Sequence, residues 1–153
     1  MKAKCRSSHA RPRKRQSEYP TDAGTSRRMA LVARRDTGPE LAVRHIVGSM
    51  GVRYRTSNRD LPGSPDLANR RRRWAIFVHG CFWHAHHCSK RTAKPKRNRE
   101  AWAAKFARNV ARDERVVQEL RAVDFRTLVI WECETKVSSL LARRVRRFFT
   151  RST

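Results

Sequence analysis

Trp74-Ala75-Ile76-Phe77-Val78-His79-Gly80-Cys81-Phe82-Trp83-His84-Ala85-His86-His87-Cys88 is the stretch on which the fold turns. Trp74 to Val78 is an unbroken apolar run, the pattern of a strand buried on both faces, and it ends at His79. From His79 to Cys88 the chain then places four of its six histidines and two of its four cysteines. Imidazole and thiolate at short spacing are zinc donors, and imidazole is also the usual general acid or base near neutral pH. One zinc cannot use every candidate, so the segment is read as doing two jobs.

Working outward, Cys81, His86 and Cys88 lack a fourth ligand, and Cys133 is the remaining cysteine outside the N-terminal region. Cys133 follows the apolar run Thr127 to Trp131 much as Cys81 follows Trp74 to Val78. If the two strands are neighbours, their ends assemble a closed Cys3His set suited to structural zinc. The competing reading makes Cys133 an ordinary buried thiol and the histidine run a solvated loop. Leu61-Pro62-Gly63-Ser64-Pro65 is a turn that delivers Asp66 to an extended stretch through Ala68. An acid on one strand and the spare imidazoles His79 and His84 at the end of the next make a nuclease site. Magnesium would take oxygen ligands there and acidify a water nucleophile. A lone Asp after such a turn also reads as an ordinary turn or cap residue.

The remaining elements follow from periodicity. Thr37-Gly38-Pro39-Glu40 reads as a capping box, so Glu40 is either a helix cap or a second acid. Leu41, Val43, Ile46, Val47 and Met50 recur at helical spacing, and Gly51 stops the helix. Val52 to Arg55 reads as a short strand, and Ser89 to Arg99 as a basic loop. Asn98 caps a helix from Arg99 to Ala122 with Trp102, Phe106, Val110, Val117 and Leu120 on one side. Thr135 caps a last helix with the stripe Val137, Leu141, Val145 and Phe148. This order predicts a small α/β sandwich around a mixed central sheet.

A chain of 153 residues, 39% hydrophobic, has room for one domain and a modest core. Lys+Arg 37 against Asp+Glu 13, a formal charge of +24, calls for a polyanionic partner, with nucleic acid first and a general arginine bias as the bland alternative. Residues 1–25, basic and without apolar periodicity, read as a disordered arm ahead of a domain over 26–153. No apolar run is long enough to span a bilayer and no signal peptide core is present, so an intracellular protein with reduced thiols is expected. Phe82 and Trp83 read either as core or as a wedge between base pairs, and Met29 could enter from the opposite side.

Several of these segments together resemble the very-short-patch repair endonucleases, which nick T:G mismatches beside bacterial cytosine-5 DNA methyltransferases. They are Ser26-Arg27-Arg28-Met29, Arg35-Asp36-Thr37 with Glu40, Leu61 to Asp66, Ile76 to Cys88, Asn109-Val110 with Arg112-Asp113, and Val129-Ile130-Trp131-Glu132-Cys133. The resemblance covers about residues 25–135, and the run from His79 to Cys88 followed by Trp131-Glu132-Cys133 is its most specific part. It implies a restriction-endonuclease-like α/β fold in a single domain, structural Zn2+ on Cys81, His86, Cys88 and Cys133, and Mg2+ on Asp66. It implies His79 and His84 as catalytic histidines, Glu40 as a supporting acid, and Phe82, Trp83 and Met29 as intercalating residues. The expected substrate is double-stranded DNA with a T:G mismatch, nicked 5′ to the thymine by a monomer in the bacterial cytoplasm, at the nucleoid.

Two positions depart from the pattern. Val78 replaces a threonine whose main-chain carbonyl contacts the catalytic metal, a carbonyl that valine also offers, and Ala85 replaces one histidine of the run. The arm and the run Arg70 to Arg73 are more basic than the family norm. The alternatives are a zinc-stabilised nucleic-acid-binding module without catalysis and a nuclease of the same fold with another substrate preference. A pure binder has no use for Asp66, His79 and His84 around one phosphate-sized gap, which favours the enzyme.

Overall fold

The apolar run Trp74–His79 forms the middle strand of the sheet. The computed structural model describes residues 35–88 and 98–150, with Gly24, Arg27 and Leu31 upstream. Met29 and, Gly24 apart, the arm over 1–25 lie outside the described residues, as does most of the Ser89 to Arg99 segment. The chain divides into two compact units, Met1–Val32 and Ala33–Thr153. Among the described residues the second unit holds α1 (Gly38–Ser49), β1 (Leu67–Asn69), β2 (Trp74–His79), α2 (Arg99–Ala122) and β3 (Arg126–Trp131). A 3-10 turn (Glu132–Lys136) and α3 (Ser138–Thr150) complete it.

The sheet is mixed, in the order β1-β2-β3. β1 pairs antiparallel with β2 across the turn at residues 70–73, and β2 pairs parallel with β3 through the α2 crossover. The register aligns His79 with Trp131, so both parallel strands end together. Alternate residues of β2 feed opposite faces, as the period of two requires. Trp74 and Ile76 join Leu67, Ile130, Val43 and Val47 of α1, and Leu141 and Val145 of α3. Ala75 and Phe77 join Ala68, Phe125, and Val116 and Leu120 of α2. Helices thus cover both faces, and His79 falls on the α2 side.

Several expectations are corrected. Thr37 stands before α1, but its hydroxyl donates to Glu40 Oε1 at 2.9 Å instead of capping a backbone N–H. The other Glu40 oxygen accepts the Asp36 N–H at 2.9 Å, so no capping box forms. Leu41 is 51% exposed, because only one side of α1 meets the sheet. Val52 to Arg55 makes a single bridge, Arg55 to Ala68, before the left-handed Ser57 (φ 59) turns the chain away. β3 is an edge strand in which only Ile130 is buried. Asn98 precedes α2 in a left-handed conformation and makes no side-chain cap. The Thr135 hydroxyl bonds the Glu132 carbonyl within the 3-10 turn, at 2.8 Å, instead of capping α3. Val137, placed in the stripe of that helix, is 46% exposed.

Candidate functional site

The turn before β1 is held from within. Buried Asn58 donates from Nδ2 to the carbonyls of Arg55 and Pro65, at 2.9 and 3.0 Å. Gly63 has φ +68, and a Cβ there would lie 2.4 Å from Val116 Cγ1. Glycine is therefore what allows the turn to lie against α2. Asp66 emerges from this turn one residue ahead of β1, and its Oδ2 accepts the Val78 N–H at 2.7 Å. Burial, the main cause, together with the Glu40 carboxylate pushes Asp66 up to about 6, against the pull of the Val78 N–H and Arg44. Glu40 and Asp66 share a cavity of about 250 Å3 with Arg35, Arg44 and Arg59. Arg44 bridges Asp36 and Glu40 and so neutralises part of this acidic wall.

Asp66 also lines a cavity of about 400 Å3, facing His79, His84, Arg112 and Asp113. The rings of His79 and His84 stack at 4.0 Å between centroids and 7° between planes. His84 Nδ1 is hydrogen-bonded to Asp113 Oδ2, and His79 Nδ1 lies 3.9 Å from the same oxygen. Burial, reinforced by the charge of His84, lowers His79 to about 4, so its imidazole is neutral at pH 7. Asp113 is the residue the sequence reading left without a role. Its signal was present: Asn109 and Asp113 sit one turn apart on α2, within the stripe that carries Trp102 and Phe106.

Cys81, His86, Cys88 and Cys133 converge at the ends of β2 and β3. Their donor atoms all lie within 4.8 Å of one another. Tetrahedral zinc with ordinary bond lengths needs donor separations of about 3.3–3.8 Å, so the set fits a metal ion with small adjustments. The Cys133 N–H donates to Cys81 Sγ at 3.4 Å, and the Cys81 N–H donates to Glu132 Oε2 at 3.3 Å. Burial and the neighbouring thiols of Cys133 and Cys88 push the Cys81 thiol up to about 12. A divalent cation, which takes thiolates, would relieve this crowding of three sulfurs. The His86 ring stacks on Trp131 at 4.1 Å, fixing the nitrogen donor.

Phe82 and Trp83 belong to neither buried core. They join Trp102 and Phe106 of α2 in a half-buried aromatic cluster with centroid separations of 5.0–6.1 Å. Lys105 Nζ lies 5.0 and 4.9 Å from the Trp83 and Trp102 rings. Asn109 Nδ2 donates to the Trp83 carbonyl at 2.8 Å. One stripe of α2 thus meets consecutive loop residues: Trp102 and Phe106 touch Phe82, Asn109 holds Trp83, and Asp113 holds His84.

An acid, paired imidazoles and a Cys/His cluster that could hold a metal, at one end of a mixed sheet, define a class, and similar proteins place it among DNA endonucleases. The Type II nicking enzyme V.XorIIP of Xanthomonas oryzae is 42% identical over 118 residues, covering 77% of this chain and 86% of that protein. The Type II nicking enzyme V.NmeAIP of Neisseria meningitidis is 35% identical over 119 residues, 78% of this chain and 84% of the relative. The DNA mismatch endonuclease Vsr of Escherichia coli is 38% identical over 111 residues, 72% of this chain and 70% of the relative. Residues 17–90 match the family model described as DNA mismatch endonuclease Vsr. The chain belongs to the Vsr family.

Proposed function

We propose that this protein nicks one strand of duplex DNA 5′ to the thymine of a T:G mismatch, by magnesium-dependent hydrolysis that initiates very-short-patch repair. The observation that carries the reading is the cavity in which Asp66 faces His79, His84 and Asp113. Asp66 and the Val78 main-chain carbonyl would hold Mg2+, with Glu40 as supporting acid. Bound there, Mg2+ supplies charge stabilisation at the scissile phosphate and lowers the pKa of a water nucleophile. Asp113 accepts the Nδ1 proton of His84 and leaves Nε2 as the base. That nitrogen takes the proton of the attacking water, the new P–O bond forms, and the leaving oxygen departs with the bonding pair and is protonated from solvent. Neutral His79 orients the water or phosphate oxygen, and Arg112 at the cavity wall attracts the phosphate.

Cys81, His86, Cys88 and Cys133 would hold structural Zn2+ in this reading. Phe82 and Trp83 form the wedge at the mismatch, with Trp102 behind them and Met29 as a further intercalating residue. The fold is of the restriction-endonuclease kind. The basic arm over 1–25 precedes the endonuclease domain over 26–153, and the protein works as a monomer on nucleoid DNA in the bacterial cytoplasm, beside a cytosine-5 DNA methyltransferase. The relatives support this reading by what they are called, nicking and mismatch endonucleases. The test is incubation with T:G-mismatched and matched duplexes, with Mg2+ and then with EDTA. Nicking of the thymine strand only in the mismatch and only with Mg2+ is expected. Equal nicking of matched DNA, or nicking in EDTA, would overturn the assignment.

A further inference from the structure

The run Arg70 to Arg73 takes no part in the site above. It forms the turn between β1 and β2, at the opposite end of the sheet from His79. β2 separates the two ends by six residues, about 16 Å at ~3.3 Å per step. Two of the four arginines brace the turn: Arg70 pairs with Asp60, and Arg73 reaches Asp124 at 3.4 Å and the Val123 carbonyl at 3.0 Å. Arg71 and Arg72 are exposed and, with Arg53, Gly51 and Asn69, line a cavity of about 670 Å3. No carboxylate lines it, and none of the three arginines is paired with an acid among the described residues.

The cavity is also preorganised. Asn69 Nδ2 donates to the Arg53 carbonyl at 2.8 Å, while Asn69 Oδ1 accepts the Arg72 N–H at 2.9 Å. One amide side chain therefore ties both walls. Three guanidinium forks around an acid-free hollow suit phosphate groups, which they engage two oxygens at a time. The volume exceeds what one phosphate fills and lies within the range that takes a larger ligand. We infer that this cavity binds the phosphodiester backbone of nucleic acid at a point remote from the cleavage centre. The backbone comes from a distant part of the nicked duplex or from a second duplex; the chemistry is the same.

The inference rests on the nucleic-acid reading of the chain, and its test does not require nicking. The full-length variant Arg53→Gln/Arg71→Gln/Arg72→Gln is compared with wild type on matched duplexes of about 40 and about 12 base pairs, the latter little more than one helical turn. On the long duplex the slope of log affinity against log salt should fall by about 2–3, at roughly 0.9 for each phosphate no longer neutralised. On a short mismatched duplex the single-turnover nicking rate should be unchanged. A length-dependent effect without bridging identifies the same duplex; loss of wild-type capture of a second, differently labelled duplex identifies another. If the triple variant melts early, Arg71→Gln/Arg72→Gln, confined to exposed turn side chains, should lower the slope by about 2.

Unchanged slopes at both lengths would overturn the inference. So would loss of short-duplex nicking at an unchanged melting temperature, because the arginines would then belong to the cleavage site. Preferential loss of polyglutamate binding with DNA binding intact would assign the cavity to an acidic protein instead. A wild type that nicks nothing but shows the slope difference would sink the proposed activity and keep the cavity.

Discussion

Asp66 is held where its own charge is unwelcome. In the folded chain its pKa is raised from 3.8 to about 6, chiefly by burial. The folded state therefore binds a proton more tightly than the unfolded state between those values, and stability falls as pH rises through that window. Above about pH 6 the penalty is fully present. Asp66→Asn keeps an oxygen for the Val78 N–H and removes the charge. The metal-free variant should melt higher than wild type at pH 7.5, by up to about 3 kcal/mol, with the gap closing towards pH 4. Its nicking should be abolished. Thermal melts across pH check the first effect, and a variant no more stable at pH 7.5 would show that Asp66 carries no such strain. Asp113 works differently, by holding His84. Asp113→Asn and His84→Ala should each cost about 10^2–10^4 in single-turnover rate, and the double variant little more than either. Additive losses would mean that the two act separately.

At the scale of elements, the Cys/His cluster joins the end of β2, its following loop and the 3-10 turn after β3. With metal bound, these pieces behave as one. Cys133→Ser should leave less than one zinc per chain and lower the melting temperature, because a structural site's binding energy is folding energy. Elemental analysis beside calorimetry checks it; a variant of wild-type stability would make the cluster dispensable. The cluster was legible in the sequence because four residues of metal-binding type follow two strands, and strands are announced by apolar runs. β2 and the span of α2 were legible for the same reason. Asp113 was not. Apolar residues at helical spacing along α2 point to Val110 and Val117. The stripe that meets the loop is Trp102, Phe106, Asn109 and Asp113, continued into the core by Val116 and Leu120, with polar members where the helix crosses the site. A hydrophobic pattern cannot show a face that changes from apolar to polar midway. Thr37 and Thr135 misled for another reason. A hydroxyl at a helix start has several partners, and nearby Glu40 and the Glu132 carbonyl took them.

Across the whole molecule, the proposed function puts cleavage and recognition on adjoining surfaces of one small unit. Phe82 and Trp83 sit two and one residues before His84, outside both cores, against the first half of α2. Trp83→Ala should therefore leave stability within about 1 kcal/mol, unlike the roughly 3–5 kcal/mol of a core aromatic. Its mismatch-to-match cleavage ratio should collapse, since the missing ring no longer spends stacking energy at the weakened pair. An unstable variant with an intact ratio would place Trp83 in the fold and not in recognition.

The stripe on α2 has one more consequence, a matter of phase. Helical residues advance by about 100° and 1.5 Å each. The aromatic contacts at Trp102 and Phe106 and the acid at Asp113 address one loop only while the number of residues between them is kept. A single inserted residue in that interval would swing the Phe82 and His84 contacts out of line by a quarter-turn, with every side chain still present. The helix is in this sense a ruler, and the spacing it keeps is as much a part of the site as the residues it carries.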